Sequence, residues 1–301
     1  MNKEYAIYRL RAKMDEMASL TDLNKFIEKE DSLDDVRAYY RINHWAYRRY
    51  HSHDGFMHFR VSKNGVMTDD DIYLQPDKVA SFIKPGATVL ELGIGQGSNL
   101  LYLAHSFPDV KFYGADLTPR EDMEIPGNVM VFKQDYSSIP QLTDGSVDVA
   151  YAIETIFHNV DKVKIMKEVW RILKPGGVFL VYDCPINYPL DNYDEKIQLA
   201  IRLASKVGAA PVMETVDEWN SHFINSGFTT ETVTDYTQAV LPDLKRLEHK
   251  AAKIMRHRFW AKLFFALLPK QFTGNVIAGY IMYDADVAGV GSYTEWILKK
   301  K

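Results

Sequence analysis

Cys184 is the only cysteine in this chain of 301 residues. A single thiol excludes an intrachain disulfide framework and any multi-cysteine zinc site, and makes a reducing compartment the default. A surplus of one charge is also missing. Lys and Arg number 36 against 40 Asp and Glu, a net charge of −4, which gives no general attraction to nucleic acid. No apolar run reaches the length of a membrane-spanning helix. Met1 to Leu20 is mixed and charged, without the apolar centre of a signal peptide or an Arg-rich transit pattern, so a cytoplasmic protein is expected. Internal repeats and low-complexity stretches are lacking too. What remains is ordinary for a globular chain: 47% hydrophobic and 25% charged residues, enough for a full core.

Residues 1–84 read as a mostly helical N-terminal extension. Ala6 to Ser19 and Leu33 to Tyr50 carry apolar residues at helical spacing, and Ile72 to Ile83 reads as one more helix. The second stretch is rich in aromatics, among them Tyr39, Tyr40, Trp45, Tyr47 and Tyr50. Pro85-Gly86 then forms a turn that opens a second region, 85–301. There strands are expected at 87–92, 110–115, 129–133, 147–153 and 177–183, and helices at 97–107, 160–173 and 215–226. This alternation predicts an α/β fold with right-handed crossovers and a mostly parallel sheet. Thr229 to Thr234 adds a sixth strand, and Tyr293 to Leu298 reads as the closing edge strand, for seven in all. Before it, at about 240–291, lies an insertion that is basic, then aromatic: Lys245 through Lys262, then Phe259 to Leu268. An insertion at that point lies over the carboxyl ends of the strands, where ligands bind in such sheets.

The most informative segment is Glu91-Leu92-Gly93-Ile94-Gly95-Gln96-Gly97, directly after the apolar run 87–90. It reads as strand, glycine-rich turn and helix start. Glycines at 93, 95 and 97 let the chain turn tightly and a ligand approach main-chain N–H groups. The spacing is not the dinucleotide pattern G-x-G-x-x-G, because position 98 is Ser. Asp116, with Leu117 beside it, ends the next apolar run, where an α/β nucleotide fold places a carboxylate for ribose hydroxyls. Gln134-Asp135-Tyr136 follows the third strand and offers an acceptor and a ring for a base. Any one of these alone is more often a structural turn or a helix cap, but their joint occurrence in order is not.

Over about residues 76–235 this arrangement resembles the S-adenosylmethionine (AdoMet) site of class I methyltransferases. The resemblance implies a Rossmann-like sheet flanked by helices. It also implies AdoMet held by Glu91, Gly93, Gly95, Gly97, Asp116, Leu117, Asp135 and Tyr136. The segment Tyr151-Ala152-Ile153-Glu154-Thr155-Ile156-Phe157-His158 further resembles the sterol C24-methyltransferase segment that reads YAIEATCH. An aromatic block from Tyr39-Tyr40 to His58-Phe59, Tyr73-Leu74, Lys84-Pro85-Gly86 and Tyr182-Asp183 extend this similarity over roughly 39–183. The chain departs from that family at Tyr50 to Gly55, where the family has a Gly-Trp-Gly-type centre. It departs again at Phe157, where the family has Cys, and at Asn159-Val160, where it has Ala-Pro. With these departures the resemblance implies that the reaction type carries over while the sterol need not, an isoprenoid or other lipid acceptor being equally compatible.

Methylating an alkene carbon makes a carbocation. Aromatic faces stabilise a cation without capturing it, and a carboxylate does so by charge and can take the final proton. Glu154 suits the second role, with His158 four residues on, on one helical face. Tyr39 and Tyr40 suit the first, with Trp45, Tyr47, Phe59, Phe264 and Phe265 as pocket walls. The bland alternative packs the aromatic stripe against the sheet and leaves His158 as a helix cap. His51-Ser52-His53-Asp54 lacks the remaining ligands of a metal site, and no metal is expected. Competing readings are O- or N-methylation of a natural product, quinone or lipid, and an AdoMet- or lipid-binding protein without catalysis. A nucleic-acid partner is not expected, because no Asn/Asp-Pro-Pro-aromatic motif is present. The 245–268 segment reads as a lid, a peripheral membrane contact or an ordinary surface helix.

Overall fold

A computed structural model describes residues 2–28, 55–211 and 213–301. Its centre is a seven-stranded sheet in the order β3-β2-β1-β4-β5-β7-β6. The strands are β1 Thr88–Leu92, β2 Lys111–Asp116, β3 Val129–Lys133, β4 Val147–Ile153, β5 Leu173–Asp183, β6 Phe228–Asp235 and β7 Thr294–Lys300. β1 and β4 lie mid-sheet and are buried almost throughout, which is why they read as unbroken apolar runs and not as alternating ones. All pairings from β3 to β5 are parallel. This is the class I methyltransferase fold expected from the sequence.

One strand corrects the expectation. β7 is not an edge: it runs antiparallel between β5 and β6. Trp296, Ile297 and Leu298 are all buried, so both of its faces are covered. The edge on that side is β6, whose Thr-rich stretch is half exposed, the composition expected where one side of a strand meets water.

Helices cover both faces. α1 Lys3–Ala18 and α2 Asn24–Ile27 precede the sheet, and α3 Leu74–Ala80 and α4 Ser98–Ser106 pack with Val89, Phe112 and Val149 on one face. α5 Lys162–Ile172 pairs with a later helix on the other, where Trp219, Phe223 and Trp296 stack. Between them the chain forms α6 Glu195–Val207 and α7 Val216–Asn225. The insertion before β7 is three helices: α8 Thr237–Met255, α9 Arg258–Leu267 and α10 Lys270–Ala288. Together with α1, α2 and α6 these build a separate apolar cluster, including Leu10, Met14, Ile201, Met255, Phe265 and Ile277.

A buried ion cluster fastens α1 to the insertion. Lys13 Nζ lies 2.6 Å from Glu248, 2.7 Å from Asp284 and 2.6 Å from the Tyr280 carbonyl oxygen, and Arg9 reaches Asp284 at 3.3 Å. The N-terminal helix therefore belongs to the roof of the molecule and not to the sheet. The expected helix over Leu33 to Tyr50 lies outside the described residues, as do Tyr39, Tyr40, Trp45, Tyr47 and the His51 to Asp54 cluster.

Candidate functional site

The carboxyl ends of β1, β2 and β4 open into one cavity of about 1800 Å³. Small-molecule pockets commonly measure ~300–1,000 Å³, so this one has room for two ligands side by side. Its floor is the turn after β1. Gly93, Gly95 and Gly97 all have left-handed backbone angles, φ +70°, +52° and +80°. At Gly93 a second constraint applies, since a Cβ there would lie 1.9 Å from Thr155 Oγ1. The three glycine amides are engaged inside the protein: Gly93 N–H donates to Ala115 O, Gly95 N–H to Asp116 Oδ2 and Gly97 N–H to Ile94 O. The glycines therefore shape the turn. A polar group that faces a ligand is supplied instead by Gln96, which lines the cavity, is almost fully buried, and has neither amide atom hydrogen-bonded among the described residues. A buried polar group without a partner is costly, so this one is suited to a ligand's.

Asp116 stands on the cavity wall at the end of β2 with Leu117. Its carboxylate accepts from the amides of Gly95 at 2.9 Å and Thr118 at 2.7 Å. Burial raises its pKa, and those two amides oppose the rise. Asp135 and Tyr136 also line the cavity. Asp135 caps the turn by accepting from Ser137 N–H at 2.8 Å, and the Tyr136 hydroxyl donates to Thr155 O at 2.9 Å. Two residues expected at the cofactor lie behind the wall instead. Glu91 is buried, accepting from the Tyr151 hydroxyl at 3.0 Å and facing Asn99 Nδ2 at 3.4 Å, with its pKa pushed up to about 8 by burial. Gly97 lies under Met123, whose sulfur is 2.4 Å from where a Cβ would be. An apolar strand end cannot leave an acid unpartnered, and Glu91 meets that need by bracing the turn through Asn99 and Tyr151.

Glu154 occupies the opposite wall, just past β4. Its backbone is left-handed at φ +50°, which a non-glycine residue adopts at a cost of about 1–3 kcal/mol and which concentrates at functional sites. The side chain accepts from Phe59 N–H at 2.7 Å and is hydrogen-bonded by the Tyr293 hydroxyl. Gln75 Nε2 fixes both supports, donating to Tyr293 at 3.0 Å and to Phe59 O at 2.7 Å. Burial pushes the carboxyl pKa up to about 8, the two donors opposing the rise. Glu154 is thus held in place and poised to change charge near neutral pH.

His158 lines the same cavity. It does not share a helical face with Glu154, because Ile156–His158 is a single 3-10 turn that begins after Glu154. Burial pushes its pKa down to about 4. The ring is therefore neutral at pH 7, and with Nδ1 3.1 Å from Ala209 O the proton sits on Nδ1. Asp183 holds the turn by accepting from Phe157 N–H at 3.2 Å, which gives the Tyr182-Asp183 pair a structural part.

Beyond Glu154 the cavity becomes mostly apolar and is roofed by the insertion, with Leu247, Ile254, Phe264, Phe272 and Met282 on its wall beside Lys250, Lys253 and Asn275. Phe59 lines it from below. Phe265 corrects the expectation: it points away into the cluster under α1 and α2, edge-on to Phe26 at 6.5 Å. Consecutive helical residues are ~100° apart, so Phe264 and Phe265 cannot both face the cavity. The sequence does not mark Gln75, Asn99 or Tyr293 as supports of the site; in the 55–59 segment that crosses it, Phe59 is the residue the pattern does mark. Gln96 sat inside the turn and was not weighed.

Residues 90–181 match the family described as methyltransferase domain. Sterol 24-C-methyltransferase erg6 of Aspergillus fumigatus is 30% identical over 206 residues, which cover 65% of this chain and 53% of that protein. The chain thus matches about half the length of this curated relative. The cyclopropane synthase MmaA2 from Mycobacterium tuberculosis has a TM-score of 0.71 at 15% identity, covering 91% of this chain and 100% of that one. The geranyl diphosphate C-methyltransferase from Streptomyces coelicolor has a TM-score of 0.62 at 14% identity, covering 87% and 98%. These two structures share the fold.

Proposed function

We propose that this chain, a class I methyltransferase by its domain and fold, transfers a methyl group from AdoMet to a hydrophobic small molecule. The acceptor atom is an alkene carbon of an isoprenoid or sterol-like compound. The observation that carries the reading is the two-ended cavity: a polar end at Gln96, Asp116 and Asp135, an apolar end under the insertion, and Glu154 at their junction.

The residues fit the cofactor. Gln96 has buried amide atoms to offer its amino-acid end, Asp116 a carboxylate for two ribose hydroxyls, and Asp135 with Tyr136 an acceptor and a ring for adenine. AdoMet supplies an electrophilic methyl group on a sulfonium centre. Glu154 serves the acceptor. Its raised pKa keeps it mostly protonated at rest near pH 7, and positive charge nearby favours its ionised form, with the first proton released to solvent before the acceptor reacts. Once ionised it stabilises a cation on the acceptor and can take the proton that restores an alkene. Phe59 and Phe157, both on the cavity wall, present rings that tolerate a cation without capturing it. The helical roof keeps water from that charge.

A second reading is methylation of an oxygen or nitrogen. It is favoured by His158, a neutral ring on the cavity wall whose Nδ1 faces the Ala209 carbonyl oxygen. Incubation with methyl-labelled AdoMet and an isoprenoid and sterol extract, followed by mass spectrometry of products, separates the two. Label on carbon, lost in Glu154→Gln, supports the first. Label on a heteroatom, lost in His158→Asn and kept in Glu154→Gln, overturns it.

A further inference from the structure

The third face of α9 has no part in the site described. At ~100° per residue, Phe259, Leu263, Leu267 and Trp260 fall on one quarter of the helix. Phe259 is 72% exposed, Trp260 64% and Leu267 71%, an apolar surface that a helix in water does not usually carry. The neighbouring quarter holds Phe264, which lines the cavity against Phe272 at a ring distance of 5.9 Å. The quarter after that holds Ala261 and Phe265, which anchor the helix in the core. One helix thus touches core, cavity and solvent with apolar side chains.

Charge around this face is one-sided. Between Glu248 and Asp284 the chain has no Asp or Glu, yet it carries Lys250, Lys253, Arg256, Arg258, Lys262 and Lys270. Apart from half-buried Lys250, these side chains are exposed. In a protein of net charge −4, this is the basic region. Lys250 and Lys253 also reach the cavity wall.

We propose that α9 docks on an anionic phospholipid surface, with Phe259, Trp260, Leu263 and Leu267 in the acyl boundary and the flanking Lys and Arg at the headgroups. Exposed aromatics beside a basic flank are what an interfacial helix needs, while no helix of the described residues is long and apolar enough to cross a membrane. Docking places the roof of the cavity, at Phe264, next to the lipid phase. A hydrophobic acceptor then passes from membrane to cavity without crossing water.

Vesicle flotation tests this without any acceptor, so its outcome is independent of the reaction. The probes are vesicles of phosphatidylcholine alone and of phosphatidylcholine with one-third phosphatidylglycerol. The whole protein is expected to float with the anionic vesicles, at least about tenfold more than with neutral ones, and to be released by salt. The double variant Phe259→Ser, Trp260→Ser is expected to lose that binding about tenfold or more, while its melting temperature is kept because neither ring is packed in the core. Arg258→Glu with Lys262→Glu is expected to lose the preference for anionic vesicles. Wild-type protein that stays unbound with both vesicle types overturns the proposal. So does a concentration-dependent dimer that the double variant makes monomeric, which assigns the face to a second copy of the chain.

Discussion

The two ends of the cavity are built in different ways. The polar end comes from one contiguous stretch, 93–136, and is tied by hydrogen bonds from main-chain amides: Gly93 to the Ala115 carbonyl, and Gly95 and Thr118 to the Asp116 carboxylate. The apolar end draws on Phe59, Phe157, Leu247, Phe264 and Met282, which are far apart in sequence. Side-chain packing holds it, with the buried cluster of Lys13, Glu248 and Asp284 as its main polar fastening. The polar end is therefore rigid and local in its sequence signals. The apolar end is assembled from distant parts of the chain, so its shape is free to differ between proteins that share the first end.

The largest effect is expected at that fastening. Lys13→Met takes the buried cation from between Glu248 and Asp284 and leaves the partly exposed Arg9 to reach both, and removing one member of a buried pair costs up to about 3–5 kcal/mol. Thermal unfolding should show this destabilisation. A loss below about 1 kcal/mol would mean that packing, with Arg9, holds the roof without Lys13.

Glycines sharpen the contrast further. Gly93→Ala puts a Cβ against Thr155 and forces alanine to φ +70°, so about 2–4 kcal/mol of stability and all cofactor binding should be lost. Gly279, on α10 at the apolar end, is the opposite case: its Cβ would meet Leu247 at 3.7 Å, an ordinary contact. Between the two in size is a pH effect behind the turn. Glu91 has a folded pKa of about 8 against an ordinary 4.5, so the native state keeps a proton that the unfolded chain releases. Its contribution is full below about pH 4.5 and is lost as pH rises through about 8. Glu91→Gln should flatten the fall in stability over that window, as read by urea unfolding at several pH values. A slope identical to wild type would mean that the carboxyl is already ionised at neutral pH. The smallest effect is Gly279→Ala, which should stabilise by about 0.5–1 kcal/mol through helix propensity. Thermal unfolding with no gain would mean that the roof has no spare space there.

The same division decides what was legible in the sequence. Strand, turn and acid at 88–116 follow from local rules, because glycine spacing and a polar residue ending an apolar run are visible within a few positions. β7 was misplaced at the edge because nothing within Thr294–Lys300 says which strands flank it; the exposed pattern of β6 was the available clue. α6 was passed over although Asp194 caps it and Ile197, Ala200, Ile201, Ala204 and Val207 keep helical spacing. α10 reads apolar all round with glycines inside, so its sequence has no face to announce. Phe264 and Phe265 read as a pair because adjacency in sequence hides the ~100° between them on a helix, which sends one to the cavity and the other to the core. The positive φ of Glu154 has no signature in its own residue type, and its brace joins distant parts of the chain, with Phe59 95 positions away and Gln75 reaching Tyr293 across 218.

The central claim is that cofactor and acceptor chemistry are separated along one cavity, with Asp116 serving the first and Glu154 the second. Calorimetric titration of AdoMet into Asp116→Ala and Glu154→Gln, run beside turnover on the labelled acceptor, tests it most directly. Asp116→Ala should weaken AdoMet binding by about 1.5–3 kcal/mol, through lost charge-assisted hydrogen bonds. Glu154→Gln should bind AdoMet within about twofold of wild type and turn over about 100-fold more slowly. Wild-type AdoMet affinity in Asp116→Ala, or full turnover in Glu154→Gln, would contradict the account.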